Sequence, residues 1–114
     1  MAKKQKVLEK HVLKAVNEYL YIMMKTGRGV WWRVNNGGIY DAKIGGYRKQ
    51  TSKLAYKGIS DIMGIYNGVF YAIEVKGSSG DTSSEQIAFG QQILESGGRF
   101  MIVNDVTQLY DIFT

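Results

Sequence analysis

The sequence predicts an α/β domain with a mixed central β-sheet flanked by helices. Two observations predict it. Hydrophobic periodicity changes along the chain in the order helix, strand, loop, hairpin, helix, strand. The last helix also stands between two strand-like runs, where it serves as a crossover to a parallel strand. At 114 residues the chain has enough apolar surface for one core and too little for two, so residues 1–114 are read as a single folding unit.

The elements follow in chain order. From Gln5 to Lys25 the apolar residues Leu8, Val12, Ala15, Val16, Tyr19, Leu20 and Met23 lie along one helical face. "TGRG", residues 26–29, supplies a glycine stop, and "VWWRVN" then has the β-branched and aromatic content of a strand. Trp31 and Trp32 adjoin in that strand, so they face opposite ways, with at least one in the core. Residues 36–57 hold four glycines, three tyrosines and five Lys or Arg without sustained periodicity, which reads as a long surface loop or irregular hairpin. "DIMGIYNGVFYAIEVK" is a hairpin turning at Asn67-Gly68, because both residues tolerate positive φ. Ser83 with Gln86 three residues on forms a capping box that opens a helix running to about Ser96 and stopped by Gly97-Gly98. "RFMIV" is read as an interior strand, and "TQLYDIFT" closes the chain as a short element of undetermined type.

The charge balance narrows the partners. Fifteen Lys or Arg against ten acids give a net charge of +5 and a pI near 9.4, a balance suited to a polyanion such as nucleic acid. In the 36–57 segment, Lys43, Arg48, Lys49, Lys53 and Lys57 are interleaved with Tyr40, Tyr47 and Tyr56. That mixture suits phosphate neutralisation and base stacking, and equally a solvated loop. Cysteine is absent, which excludes disulfides, thiol nucleophiles and cysteine zinc sites and fits a reducing cytoplasm. The single His11 cannot build a histidine metal cluster, and on the first helix it reads as a surface or packed residue rather than a general base. "MAKKQKVLEK" lacks the continuous apolar stretch of a signal peptide or membrane span, so an intracellular protein is expected. "GSSGD" lacks the lysine and spacing of a P-loop.

The hairpin carries the chemistry. With a two-residue turn at Asn67-Gly68, Tyr66 pairs with Val69, Ile65 with Phe70, and Asp61 falls opposite Glu74. Like charges so placed destabilise a sheet unless they are neutralised, and a divalent cation would neutralise them. Strand alternation puts Phe70, Ala72, Glu74 and Lys76 on one face and Val69, Tyr71, Ile73 and Val75 on the other. Mg²⁺ takes oxygen ligands and keeps several waters, so one or two carboxylates with a carbonyl suffice. The bland reading of the same residues is a solvated strand end with ordinary ion pairs.

The ordered set Glu9, "WRVN", "GISD", the hairpin, "IEVKG", Ser83-x-x-Gln86 and the later Gly-Gly resembles the PD-(D/E)XK nuclease core, and specifically its small VRR-NUC branch. Two departures stand out: Ser60 occupies the place of the proline that precedes the metal-binding aspartate, and the Val-Arg-Arg tripeptide is absent. The resemblance implies a restriction-endonuclease-like fold and a Mg²⁺- or Mn²⁺-dependent endonuclease. Asp61, Glu74 and the Val75 carbonyl would hold the metal, and Lys76 would orient or deprotonate the attacking water and stabilise charge on the phosphate. Gln86 would brace the water or a ligand, in competition with its role in the capping box. Glu9 would contribute through a water, with Glu18 as a rival for that place. The implied substrate is branched DNA such as a Holliday junction, cut by a homodimer of the phage type. The alternative is a non-catalytic nucleic-acid-binding protein that keeps the fold, and choice between DNA and RNA stays open.

Overall fold

The computed structural model describes residues 7–34, 39–48, 53–54 and 56–113. Its elements are α1 (Glu9–Lys25), β1 (Val30–Arg33), β2 (Ile39–Asp41), β3 (Gly46–Arg48), β4 (Ile62–Tyr66), β5 (Val69–Val75), α2 (Ser84–Glu95), β6 (Arg99–Val103) and α3 (Thr107–Ile112). A four-stranded sheet has the order β1-β4-β5-β6, antiparallel up to β5 and parallel between β5 and β6. The mixed α/β sheet with its crossover helix is therefore present.

Asn67 and Gly68 adopt φ of 51° and 76°, as a type I′ turn requires. The pairs Tyr66–Val69, Ile65–Phe70 and Ile62–Ile73 follow from it. Alternation then sorts the strands. Trp31, Ile62, Tyr71, Ile73, Val75 and Val103 face α1 and α3 and share a core with Val12, Val16, Leu20, Met23, Leu109 and Phe113. Phe113 is fully buried, with its ring edge-on to Trp31, Tyr66 and Tyr71. The opposite face is covered over β6 by α2, where Gly90 lies against the Phe100 ring. At the β1–β4 end of that second face Val30, Trp32 and Ile65 stay exposed, so the two tryptophans do face opposite ways.

Two expectations need correction, and a third is decided between its alternatives. The first helix begins at Glu9, because Leu8 is extended (φ −78°, ψ 143°) and serves as an N-cap without a side-chain hydrogen bond; Gln5 lies outside the described residues. β6 is an edge strand rather than an interior one, since the chain leaves it for α3 and no described strand adds beyond it. The 36–57 segment contains a hairpin, β2 paired with β3, that forms a separate two-stranded sheet. No described helix is long and apolar enough to cross a membrane.

Candidate metal and nuclease site

The site lies where β4 starts and β5 ends. Val34 N–H donates to the Asp61 carbonyl at 2.9 Å, extending the β1–β4 ladder by one step. On the other side Asp61 Oδ2 accepts the Val75 N–H at 2.8 Å, so the carboxylate closes the β4–β5 ladder where backbone pairing stops. In a strand the N–H and C=O of one residue point to the same neighbour. The Val75 carbonyl is thus directed to the Asp61 side as well.

Glu74 is only 2% exposed, although it sits on the α2 face with Ala72. Its Oε1 accepts from Gln86 Nε2 at 2.9 Å and lies 3.8 Å from Lys76 Nζ. Its Oε2 is buried with no hydrogen-bond partner among the described residues. Burial, foremost, and then the hydrogen bond and charge of Asp61 push the Glu74 carboxyl up to about 8; the Lys76 ammonium opposes this and the charge of Glu9 adds to it. Burial and the neighbouring carboxylate both disfavour the charged form of Glu74, so it keeps its proton into the neutral range. That proton gives Glu74 a donor toward Asp61, and a cation would take its place.

Gln86 completes the capping box and also reaches Glu74. Its Oε1 accepts the Ser83 N–H at 3.0 Å while its backbone N–H donates to Ser83 Oγ at 3.1 Å, completing the capping box. An amide has an acceptor end and a donor end. The cap takes the oxygen, which orients the nitrogen toward Glu74. Gly58 makes this approach possible: with φ of +74°, its α-carbon is so close to α2 that a Cβ there would be 2.4 Å from the Glu85 carbonyl carbon and 2.5 Å from Gln86 N.

Glu9 opens α1 and is exposed. Glu18, nine residues later, is turned about 180° around the axis and displaced by about 13 Å, so it does not take that place. His11 is exposed. Among the described residues no group of three or more His, Cys, Asp or Glu side chains is gathered to hold a metal; the arrangement is two carboxylates beside a carbonyl and an ammonium. Ser60, at the position before Asp61, is fully buried with its hydroxyl unpartnered among the described residues, and we have no physical account of it.

The basic residues are less concentrated. Lys43 is exposed in the β2–β3 turn, where its N–H donates to Asp41 Oδ1 at 2.9 Å. Tyr47 and Arg48 belong to β3, and Lys49 lies outside the described residues. Lys53 and Lys57 are exposed, and Tyr56 beside Lys57 packs edge-on against Phe89 of α2 at 5.5 Å. This contact ties the segment before Gly58 to the helix that carries Gln86. Sequence reasoning missed Ser78, whose hydroxyl bonds to Val7 across 71 positions; a contact of that separation leaves no local pattern to read. Compared with protein-family models, with curated proteins and with solved structures, the chain gives no match.

Proposed function

We propose that the protein is a Mg²⁺- or Mn²⁺-dependent endonuclease that hydrolyses DNA phosphodiester bonds, of the VRR-NUC type that its sequence resembles. One observation carries the reading: Glu74 is buried against Asp61, with an oxygen to which no N–H or O–H of the described residues donates. Burying two acids together costs stability, and a hard dication is the ligand that converts the cost into an interaction. The residues fit such an ion, since two carboxylates and the Val75 carbonyl are the oxygen donors Mg²⁺ takes while keeping waters.

When bound, the ion supplies a water that ionises near neutral pH and neutralises charge on the phosphate. Asp61 and Glu74 would hold it. Lys76, tethered to the same strand end, donates from its ammonium to the phosphate oxygens and orients the attacking water. Gln86 fixes the Glu74 carboxylate by an N–H hydrogen bond, so that its second oxygen stays turned into the site. The net charge of +5 and the exposed Trp32, one strand and one pleat from Asp61 on the same face, suit a polyanion with stackable bases. The substrate proposed is branched DNA, on which a homodimer would set two sites on two strands.

The test is cleavage of labelled four-way junction, flap, duplex and single-stranded DNA, and matching RNA, with Mg²⁺, Mn²⁺ or EDTA. Metal-dependent cutting by the wild type that is lost in Glu74→Gln supports the reading. Tight binding of junctions without cutting under either metal refutes it in favour of a non-catalytic nucleic-acid-binding protein.

A further inference from the structure

Trp31 and Trp32 adjoin in β1 and have opposite surroundings. The buried Trp31 ring packs edge-on against Phe113 at 5.1 Å and tilted against Tyr71 at 5.9 Å, and its indole N–H donates to the Arg28 carbonyl at 3.2 Å. These contacts fix β1 to the core. Trp32 therefore projects from a held backbone, and it is 43% exposed.

Pairing of Trp32 with Met63, and of Met63 with Ala72, sets Trp32 on the sheet face that carries Glu74. Asp61 lies two residues before Met63, so strand spacing puts its α-carbon about 8 Å from that of Trp32. The β1–β4 end of this face is an open shelf, on which Val30 and Ile65 pair with each other and continue the apolar surface at 48% and 43% exposure. β1, β4 and β5 carry Arg33 and Glu74 as their charged residues, so apart from the Asp61–Glu74 pair these strands offer a phosphate no repelling charge. Val30, Trp32 and Ile65 together expose on the order of 300 Å². That is well below the roughly 800 Å² per partner of a stable protein interface, and enough for one flat base.

We propose that Trp32 is a specificity-determining residue: its indole stacks on an unpaired nucleobase next to the phosphate that lies at Asp61 and Glu74. The inference rests on the nuclease reading above. A base inside a duplex is already stacked on both faces and must be unstacked at a cost before it can lie on a protein ring. A base at a branch, in a flap or in a single strand offers its face freely. The indole thus selects unpaired nucleotides without reading their identity, since every base has a π-face.

The experiment titrates the full chain, in EDTA and again in Ca²⁺, with a single strand of mixed sequence and with a long duplex, for wild type, Trp32→Phe and Trp32→Leu. Anisotropy of the labelled nucleic acid gives the affinity, tryptophan emission with the unlabelled strand reports stacking, and size-exclusion chromatography gives the oligomeric state. The single strand should quench the wild-type emission and leave that of Trp32→Phe, which comes from the buried Trp31, unchanged. Trp32→Leu should bind the single strand about tenfold more weakly. Trp32→Phe, which keeps a ring, should stay within about threefold of the wild type, and both variants should bind the duplex as the wild type does. Equal weakening on both probes, or unchanged single-strand affinity in Trp32→Leu, overturns the proposal and leaves the nuclease reading standing. A change of oligomeric state in Trp32→Leu assigns the shelf to a second copy of the chain and overturns it as well. If circular dichroism shows Trp32→Leu unfolded, the other two proteins decide, and wild-type emission that ignores the bound single strand overturns the proposal. A wild type that binds neither probe in either condition overturns the nuclease reading and this proposal together.

Discussion

Replacing Glu74 by glutamine tests the buried pair while keeping its shape. The amide oxygen can still accept from Gln86, and the amide nitrogen can donate to Asp61, so the variant imitates the protonated acid. In the wild type the carboxyl is raised from 4.5 to about 8. Across that window the unfolded chain has released a proton that the folded chain keeps. Stability is therefore greatest below about pH 4.5 for this group and is lost as pH rises through about 8, by about 1.4 kcal/mol per pH unit. The cumulative loss reaches roughly 5 kcal/mol at the top of the window, a large part of the stability of a small domain. Glu74→Gln has no proton to lose there. Urea denaturation of both proteins at a series of pH values without divalent cation should show a gap that is small near pH 5 and widens in favour of the variant toward about pH 8. Mg²⁺ or Mn²⁺ should then narrow the gap by stabilising the wild type alone, by about 2.7 kcal/mol at a hundredfold excess over its Kd. Parallel pH profiles for the two proteins would refute the shared proton. A gap that neither metal closes would refute Glu74 as a metal ligand.

Lys76→Met removes the ammonium but leaves the carboxylates and carbonyl, so single-turnover cleavage should fall by about a hundredfold or more while calorimetric Mn²⁺ affinity changes far less. Gly58→Ala places a Cβ 2.4 Å from the Glu85 backbone at a φ of +74°; the start of α2 must retreat, costing about 1–3 kcal/mol in denaturation and a disproportionate loss of cleavage as Gln86 leaves Glu74. Phe113→Ala empties the fully buried ring position between Trp31, Tyr66 and Tyr71, and thermal or chemical denaturation should show a loss of about 3–5 kcal/mol.

Much of this fold was legible because its signals are local. The Asn67-Gly68 turn fixed the register of β4 and β5, and register alone put Asp61 across from Glu74. Ser83 and Gln86 formed the predicted capping box, and Gly97 follows the last residues of α2 as its stop. The misread features were those that depend on what lies alongside. Nothing in "RFMIV" distinguishes an edge strand from an interior one, since both can be apolar; among the described residues no strand adds beyond it. For the 36–57 segment the choice between loop and irregular hairpin stayed open in the sequence, because the β2 and β3 strands are three residues each, too short for periodicity to register.

The sequence by itself determined the alternation that sets Glu74 and Lys76 on the face opposite Ile73 and Val75, since side-chain period in a strand is a property of the backbone. It also singled out Asp61, Glu74 and Lys76 as the candidates for chemistry, because they stand at the end of an otherwise apolar hairpin. The tertiary structure alone decided that Glu74 is buried and keeps its proton, that one Gln86 amide serves both the cap and the carboxylate, and that Ser78 reaches Val7. Each of these depends on the dielectric and the neighbours created by packing residues distant in sequence, and neither is present until the chain has folded.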